Sequence, residues 1–312
     1  MRILVTGGAG FLGSALSDRL VADGHEVVCL DNFSTGRRSN LAALDRSDRF
    51  TLVQADVIDA LPVAGPFDRI YHLASPVTCS HHAARPIATL RAGAEGTRRC
   101  LDLAAACGAV FVLASTSEIY GDPLTHPQIE TDPGRVNPIG PRSPYDEGKR
   151  FAEALAAAYG RERGTAVRIA RIFNTYGPRM RPDDGRVIPT FVARALAGRP
   201  LPVFGDGACT RSFCYVSDMV DALVRLAESS YAGPVNLGNP EEVSVLDLAR
   251  EIVALAASTS RIEFGPPLPD DPVRRRPDIA LARRVLGWQP TTPRREGLRL
   301  TLEHFRKEET LS

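Results

Sequence analysis

The stretch Arg2-Ile3-Leu4-Val5-Thr6-Gly7-Gly8-Ala9-Gly10-Phe11-Leu12-Gly13, with Asp31 closing the next apolar run, decides how this chain folds. A short apolar run before a glycine cluster reads as a buried strand. Residues 13–23 then carry Ala15, Leu16, Leu20 and Val21 at helical spacing. Between strand and helix, each glycine has a task. Gly7 permits a tight turn, Gly10 lets the backbone approach a pyrophosphate, and Gly13 lets the helix pack on the strand. The free N–H groups of the helix start then face the phosphates. Asp31 is placed to bind the adenosine ribose hydroxyls and disfavours a 2′-phosphate there, so the pattern predicts NAD rather than NADP. Asp56, with Val57 after it, ends a further strand and suits an adenine contact; a helix cap explains Asp56 nearly as well.

Outward from this motif, strands are expected at 2–6, 26–31, 52–56, 69–74, 110–115 and 166–171, and helices at 13–23, 86–106 and 146–163. Such alternation predicts a doubly wound parallel (Rossmann) α/β sheet covered on both faces. Residues 3–5, 110–113 and 169–170 are apolar throughout, as a sheet buried on both sides requires. Residues 1–175 are therefore expected to form the NAD-binding domain. Proline and glycine become frequent in 177–207 and 265–293, which predicts a loop-rich, smaller C-terminal lobe over 176–312. Within it, helices are expected at 217–228 and 245–257, and a strand at 234–237 that returns to the sheet.

The 312 residues are 44% hydrophobic and 24% charged, with 38 basic against 37 acidic side chains and a net charge of +1. That balance argues against a nucleic-acid surface. No apolar run reaches the ~20 residues that span a bilayer, and the first strand leaves no room for a signal peptide, so a cytoplasmic protein is expected. Cys29, Cys79, Cys100, Cys107, Cys209 and Cys214 form no CxxC pair and read as reduced, mostly buried thiols. His81-His82 near Cys79 reads as a polar loop rather than a metal site, because no second ligand cluster accompanies it.

Two further constellations carry chemistry. In Ser143-Pro144-Tyr145-Asp146-Glu147-Gly148-Lys149 the tyrosine and lysine are four apart and share a helix face. A nearby ammonium favours the phenolate and is expected to lower the Tyr145 pKa toward neutrality. Such a tyrosine can take a hydroxyl proton while hydride leaves the same carbon for NAD. In Ser115-Thr116-Ser117-Glu118-Ile119-Tyr120-Gly121, at the C-terminal end of a central strand, Thr116 can hold that hydroxyl and Glu118 can act as a second acid or base. Ligands of doubly wound sheets bind at those strand ends.

At these residues the chain resembles the extended short-chain dehydrogenase/reductase family of nucleotide-sugar epimerases and dehydratases, and within it most nearly the UDP-glucuronic acid decarboxylases. The resemblance runs through 72–76, 136–142, 170–180, 184–187, 210–213, 236–242, 277–278 and 286–288. It implies decarboxylation of a UDP-sugar, UDP-glucuronate to UDP-xylose, through a 4-keto intermediate. It implies that Tyr145, Lys149, Thr116, Glu118 and Ser117 are catalytic. Cofactor contacts are implied at Phe11, Leu12, Asn32, Ser34, Thr35, Gly36, Leu73 and Thr175, and at Lys149, which would bind the nicotinamide ribose. Substrate contacts are implied at Asn174, Arg186, Val187, Phe204, Arg211 and Arg275. A homodimer is implied through helices 86–106 and 146–163, with Ala152, Ala154, Ala156, Ala157 and Ala158 permitting close approach. The sugar dehydratases have an Asp-Glu pair where this chain has Ser117-Glu118. Eliminating water needs that second acid, and losing carbon dioxide does not. A UDP-sugar 4-epimerase remains the alternative, since the epimerases also lack the acid pair. A non-catalytic NAD-binding module is disfavoured by the intact Thr116, Tyr145 and Lys149. Two stretches depart from the family pattern: Gly93 stands where Asn is usual, and 81–85 replace common aromatics.

Overall fold

The computed structural model describes residues 1–76, 85–267 and 274–311, so Cys79 and the His81-His82 loop lie outside the described residues. Strand β1 (Arg2–Thr6) is flanked by β2 (Glu26–Asp31) and β4 (Arg69–His72); β3 (Phe50–Gln54) lies beyond β2. On the other side follow β5 (Val110–Thr116), β6 (Val167–Ile172) and β11 (Pro234–Leu237). The order is β11-β6-β5-β4-β1-β2-β3, and every pairing is parallel. The direction of winding reverses between β1 and β4, which opens a crevice at the carboxyl ends of those strands.

Because side chains alternate along a strand, β1 feeds two cores at once. Ile3 and Val5 pack with Leu16 and Leu20 of α1 (Phe11–Ala22) and Met219 and Leu223 of α6 (Val216–Glu228). Leu4 joins Cys100, Leu101 and Ala104 of α3 (Thr97–Cys107), with Ala152 and Ala156 of α4 (Ser143–Arg163). Ala152 and Ala156 thus serve the chain's own core, correcting their assignment to a helix face between copies.

The helix expected over 86–106 is interrupted. A short helix α2 (Pro86–Arg91) runs into a π-turn at Ala92–Gly96 before α3 begins. A Cβ on Gly93 would lie 3.0 Å from the Gly148 carbonyl oxygen and 3.1 Å from its Cα. Glycine here lets the π-turn and α4 touch backbone to backbone. Other elements begin or end up to three residues from expectation. Strand β4 stops at His72, and α4 starts at Ser143 because Pro144 suits a first helical turn.

The larger difference lies beyond residue 176. Residues 177–207 hold α5 (Val187–Leu196) and β8 (Leu201–Phe204), and the chain ends in α9 (Arg294–Leu311). Pro189 sits in the first turn of α5, where a missing N–H costs nothing, so the proline that suggests a loop does not prevent the helix. Three smaller sheets complete this half. The strand pair β7 (Thr175–Tyr176) and β10 (Cys214–Tyr215) forms one, and β8 with β13 (Ile262–Gly265) another. The third places β9 (Thr210–Ser212) between β12 (Glu242–Ser244) and β14 (Arg274–Arg275). Helix α7 (Val245–Ala256) packs against α5, and α8 (Ala280–Leu286) against β11.

Placing asparagine at position 93 should destabilise the fold by about 1–3 kcal/mol, since a rigid backbone must move to accept the side chain. Urea unfolding of Gly93→Asn beside the parent protein checks this; an unchanged midpoint would show that the helices separate freely.

Candidate active site

The carboxyl ends of the strands open onto a cavity of about 1000 Å³, large enough for a dinucleotide and a second ligand. Its walls include Gly7, Gly10, Phe11, Leu12, Gly13, Asp31, Asn32, Ser34, Thr35, Asp56, Val57, Leu73 and Thr175 at one end. The other end brings together Thr116, Ser117, Glu118, Tyr145, Lys149, Asn174, Arg186, Val187, Phe204, Arg211 and Arg275. Gly36 is not part of the lining. It packs beneath, where a Cβ would meet Ala9 and the Asp31 carboxylate at 3.0 Å.

The glycine turn is built as its spacing requires. Gly7 has φ +71°, and a Cβ on Gly13 would strike the Gly7 carbonyl oxygen. Asp31 accepts hydrogen bonds from the Ala9 N–H (2.9 Å) and the Phe33 N–H (2.8 Å), which locks the turn to the end of β2. Burial raises its pKa, and those two bonds oppose the rise. Asp56 accepts from the Asn32 amide at 2.7 Å and from the Ile58 N–H at 3.0 Å, capping its own turn while lining the cavity. A cradle of small residues with an acid beside it fits NAD.

At the inner end, α4 lies against the tip of β5. Lys149 is buried and donates to the Ala114 carbonyl at 2.7 Å. Burial brings its pKa down to about 8, opposed by the charge of Glu153. Tyr145 is also buried, and its pKa is raised rather than lowered, mainly by burial; a hydrogen bond with Thr116 and the charge of Arg186 pull the other way. This corrects the expectation from spacing. The ammonium sits 5.9 Å from the centre of the phenol ring and is itself bonded to the strand, so loss of hydration outweighs its attraction.

Glu118 is held by two arginines. Arg275 donates to both carboxylate oxygens (2.6 and 3.0 Å), and Arg142 donates at 2.5 Å. Burial would raise the Glu118 pKa, but the charges of Arg275, Arg142 and Arg211 prevail and lower it. In this state Glu118 accepts protons and hydrogen bonds and does not donate them. Arg211 and Arg275 lie side by side on β9 and β14. Arg186 is fixed by the buried Asp184 at 2.5 and 2.8 Å, and its guanidinium lies 5.8 Å from the Phe11 ring of the glycine turn.

Sequence reasoning missed Arg142 and Asp146. Both lie at the start of α4, and spacing alone does not reveal that Arg142 folds back onto Glu118. Asp146 is buried, and its Oδ1 has no hydrogen-bond partner among the described residues. Burial and then the charge of Glu118 push its pKa up to about 7, against Arg142 and Arg275.

The model of the NAD dependent epimerase/dehydratase family matches residues 3–238. UDP-glucuronic acid decarboxylase 1 of Danio rerio is 52% identical over 307 residues, covering 98% of this chain and 73% of that protein. UDP-glucose 4-epimerase of Thermotoga maritima, solved with UDP-glucose, superposes with a TM-score of 0.92 at 29% identity, covering 100% of both chains. The dTDP-glucose 4,6-dehydratase DesIV of Streptomyces venezuelae, solved with NAD, gives 0.91 at 30% identity, covering 100% of this chain and 98% of that one. The chain belongs to the NAD dependent epimerase/dehydratase family, and its cofactor is NAD.

The raised pKa of Asp146 carries a pH consequence. Between an ordinary aspartate value near 4 and about 7, the folded state holds a proton that the unfolded state has released. Stability therefore falls as pH rises through that window. Asp146→Asn should remove this part of the pH dependence and gain on the order of 2 kcal/mol at pH 8. Chemical denaturation at pH 5 and pH 8 checks it: the parent should lose stability between the two, and the variant should lose less.

Proposed function

We propose that the protein converts UDP-glucuronate to UDP-xylose and carbon dioxide. The likeness to a curated UDP-glucuronic acid decarboxylase over nearly the whole chain supports this reaction. Within the molecule, the observation that carries it is the arginine group Arg142, Arg211 and Arg275 around Glu118, with Ser117 beside it and Tyr145 facing the same cavity. An excess of guanidinium charge suits a substrate that bears both a diphosphate and a carboxylate.

NAD held by the glycine turn would supply a hydride acceptor that is regenerated in each cycle. Tyr145, whose phenolate is favoured against burial by the Thr116 hydrogen bond and the Arg186 charge, takes the proton of the C4 hydroxyl, and Thr116 holds that hydroxyl. Oxidation at C4 makes the substrate a β-keto acid, which loses carbon dioxide and leaves an enolate. Arg275 orients the substrate, while ionised Glu118 and Ser117 hold an ordered water that delivers to C5 the solvent proton replacing the lost carboxylate. Lys149 keeps a positive charge beneath the phenol and reaches the cofactor ribose. Asp31 and the glycine turn take the adenosine end, with Asn32, Ser34, Thr35, Asp56, Val57, Leu73 and Thr175 around it. Asn174, Arg186, Val187, Phe204, Arg211 and Arg275 take the UDP-sugar, so that residues 1–175 mainly serve the cofactor and 176–312 the substrate.

The same reading includes a homodimer. Ile87 (73% exposed) and Leu90 (42%) on α2 and Phe151 (50%) on α4 leave apolar side chains exposed on two helices that pack together, which suits contact with a second copy. Static light scattering checks it; a monomer mass would reject it. Among the described residues no helix is long and apolar enough to cross a membrane. Cys29, Cys100 and Cys214 are free and buried, which suits the reducing cytoplasm we assign to it.

The reaction is tested by mass spectrometry of the product formed from UDP-glucuronate. Loss of one carbon dioxide supports the decarboxylase; an unchanged mass with a new retention time would assign a 4-epimerase instead. Tyr145→Phe should lower turnover by about 10²–10⁴-fold and leave NAD bound to the purified protein. Full turnover by that variant would reject Tyr145 as the proton acceptor.

A further inference from the structure

Three successive residues at the end of β5 grip three successive turns of α4. The Ala114 carbonyl accepts from Lys149, the Ser115 hydroxyl donates to Glu153 at 2.5 Å, and Thr116 bonds Tyr145. Tyr145, Lys149 and Glu153 repeat every four residues and so lie on one helix face. Two of them line the cavity, while Glu153 lies behind it and is not part of the lining. Its carboxylate is fixed a second time by Arg171 of β6, which donates at 2.8, 3.1 and 3.3 Å. Arg171 stands directly across the ladder from Ser115, so both anchors of Glu153 belong to the rigid centre of the sheet.

We infer that Glu153 is a positioning residue of the proposed decarboxylase: its carboxylate, held by Ser115 and Arg171, keeps Lys149 in the ammonium form behind Tyr145. The groups facing Lys149 support this. Tyr145 and Glu153 face it along α4, and His72 faces it from β4. Burial pushes the His72 pKa down to about 3, and Thr6 and Thr97 bond its two ring nitrogens, so it is neutral near pH 7. Arg171 offsets part of the Glu153 charge without removing it. With burial lowering it and the charge of Glu153 opposing, Lys149 comes to about 8, close to working pH, so losing that opposing charge moves it further toward the neutral amine. The catalytic part of this inference rests on the proposed reaction. The Lys149 titration does not.

Lys149 and Lys307 are the only lysines in the chain, and Lys307 is exposed on α9. Lysine labelled with carbon-13 therefore gives two side-chain signals that can be titrated by NMR without substrate. In Glu153→Gln, which keeps a hydrogen-bonding side chain and loses the charge, the Lys149 midpoint should fall by about one pH unit or more while Lys307 stays put. The alkaline limb of kcat with UDP-glucuronate should move down by the same amount. If that variant does not fold, Glu153→Asp, which retains the charge but draws it back, should shift Lys149 in the same direction by less. An unmoved Lys149 midpoint in whichever variant folds would reduce Glu153 to a structural anchor and overturn the inference. A parent enzyme that leaves UDP-glucuronate unchanged would overturn the reaction assignment instead, and the titration would still report on Glu153.

Discussion

A buried ammonium beside a buried phenol is the constraint on which the rest of this active site depends. Lys149 is 6% exposed and Tyr145 7%. Charge in such a place is lost unless neighbours restore what water supplied. The fold answers by presenting the end of β5 to α4, with a carbonyl for Lys149 and a hydroxyl for Tyr145. A parallel sheet makes this arrangement available, because strand ends and the starts of the following helices share one edge. The cofactor turn after β1 and the Thr116–Glu118 turn after β5 therefore open onto the same cavity.

The second half of the chain is tied to that edge by polar contacts as well as apolar ones. Arg275 enters from β14 to meet Glu118 on the turn after β5. Behind it, Asn236 of β11 accepts from the Tyr120 hydroxyl at 2.7 Å and donates to the Gln128 carbonyl at 3.0 Å, while Gln128 accepts from the Arg276 N–H at 2.8 Å. Tyr120 in turn accepts from Arg171 at 2.9 Å. The chain of bonds runs from the β6 strand to the residue next to Arg275. Buried polar networks fix geometry when every member is satisfied. Here the effect is to hold Arg275 in register with the helix that carries Tyr145.

Much of this was legible in the sequence, and the parts that were not share a cause. The strand-turn-helix at 2–22 could be read because glycine spacing and apolar period agree, and because β1 serves cores on both faces. The return of 234–237 to the sheet was legible for the same reason. Helix α5 was not, since Pro189 and the surrounding prolines and glycines mark a loop unless the proline is known to sit in the first turn. The interruption at Ala92–Gly96 could not be read either. A π-turn follows from contact with α4, and that contact is distant in sequence. At the site, residue types and spacing placed Tyr145, Lys149 and Thr116 in one cavity, and the family resemblance added Arg275. The direction of the Tyr145 shift was misread, because four-residue spacing reports proximity and not burial. Arg142, Asp146 and Glu153 act through partners 18 to 38 residues away or through burial, which no local pattern records.

The departure at Gly93 shows how a family position can change without altering the chemistry beside it. Gly93 itself does not line the cavity, whereas Ala88 and Ala92 do. Its contact is with the Gly148 backbone, one residue before Lys149 on α4. A Cβ on Gly148 would find only ordinary contacts, at 4.0 Å, so the closeness is set by the absence of a side chain on Gly93 alone. The substitution therefore acts on the distance between two helices. Lys149 and Tyr145 are held from the opposite side, by Ala114 and Thr116 at the end of β5, so the sheet rather than the neighbouring helix fixes where they point. A helix anchored along one face can tolerate repacking on the other, and this explains how the chain keeps its Tyr145–Lys149 pair intact with an unfamiliar residue one turn away in space.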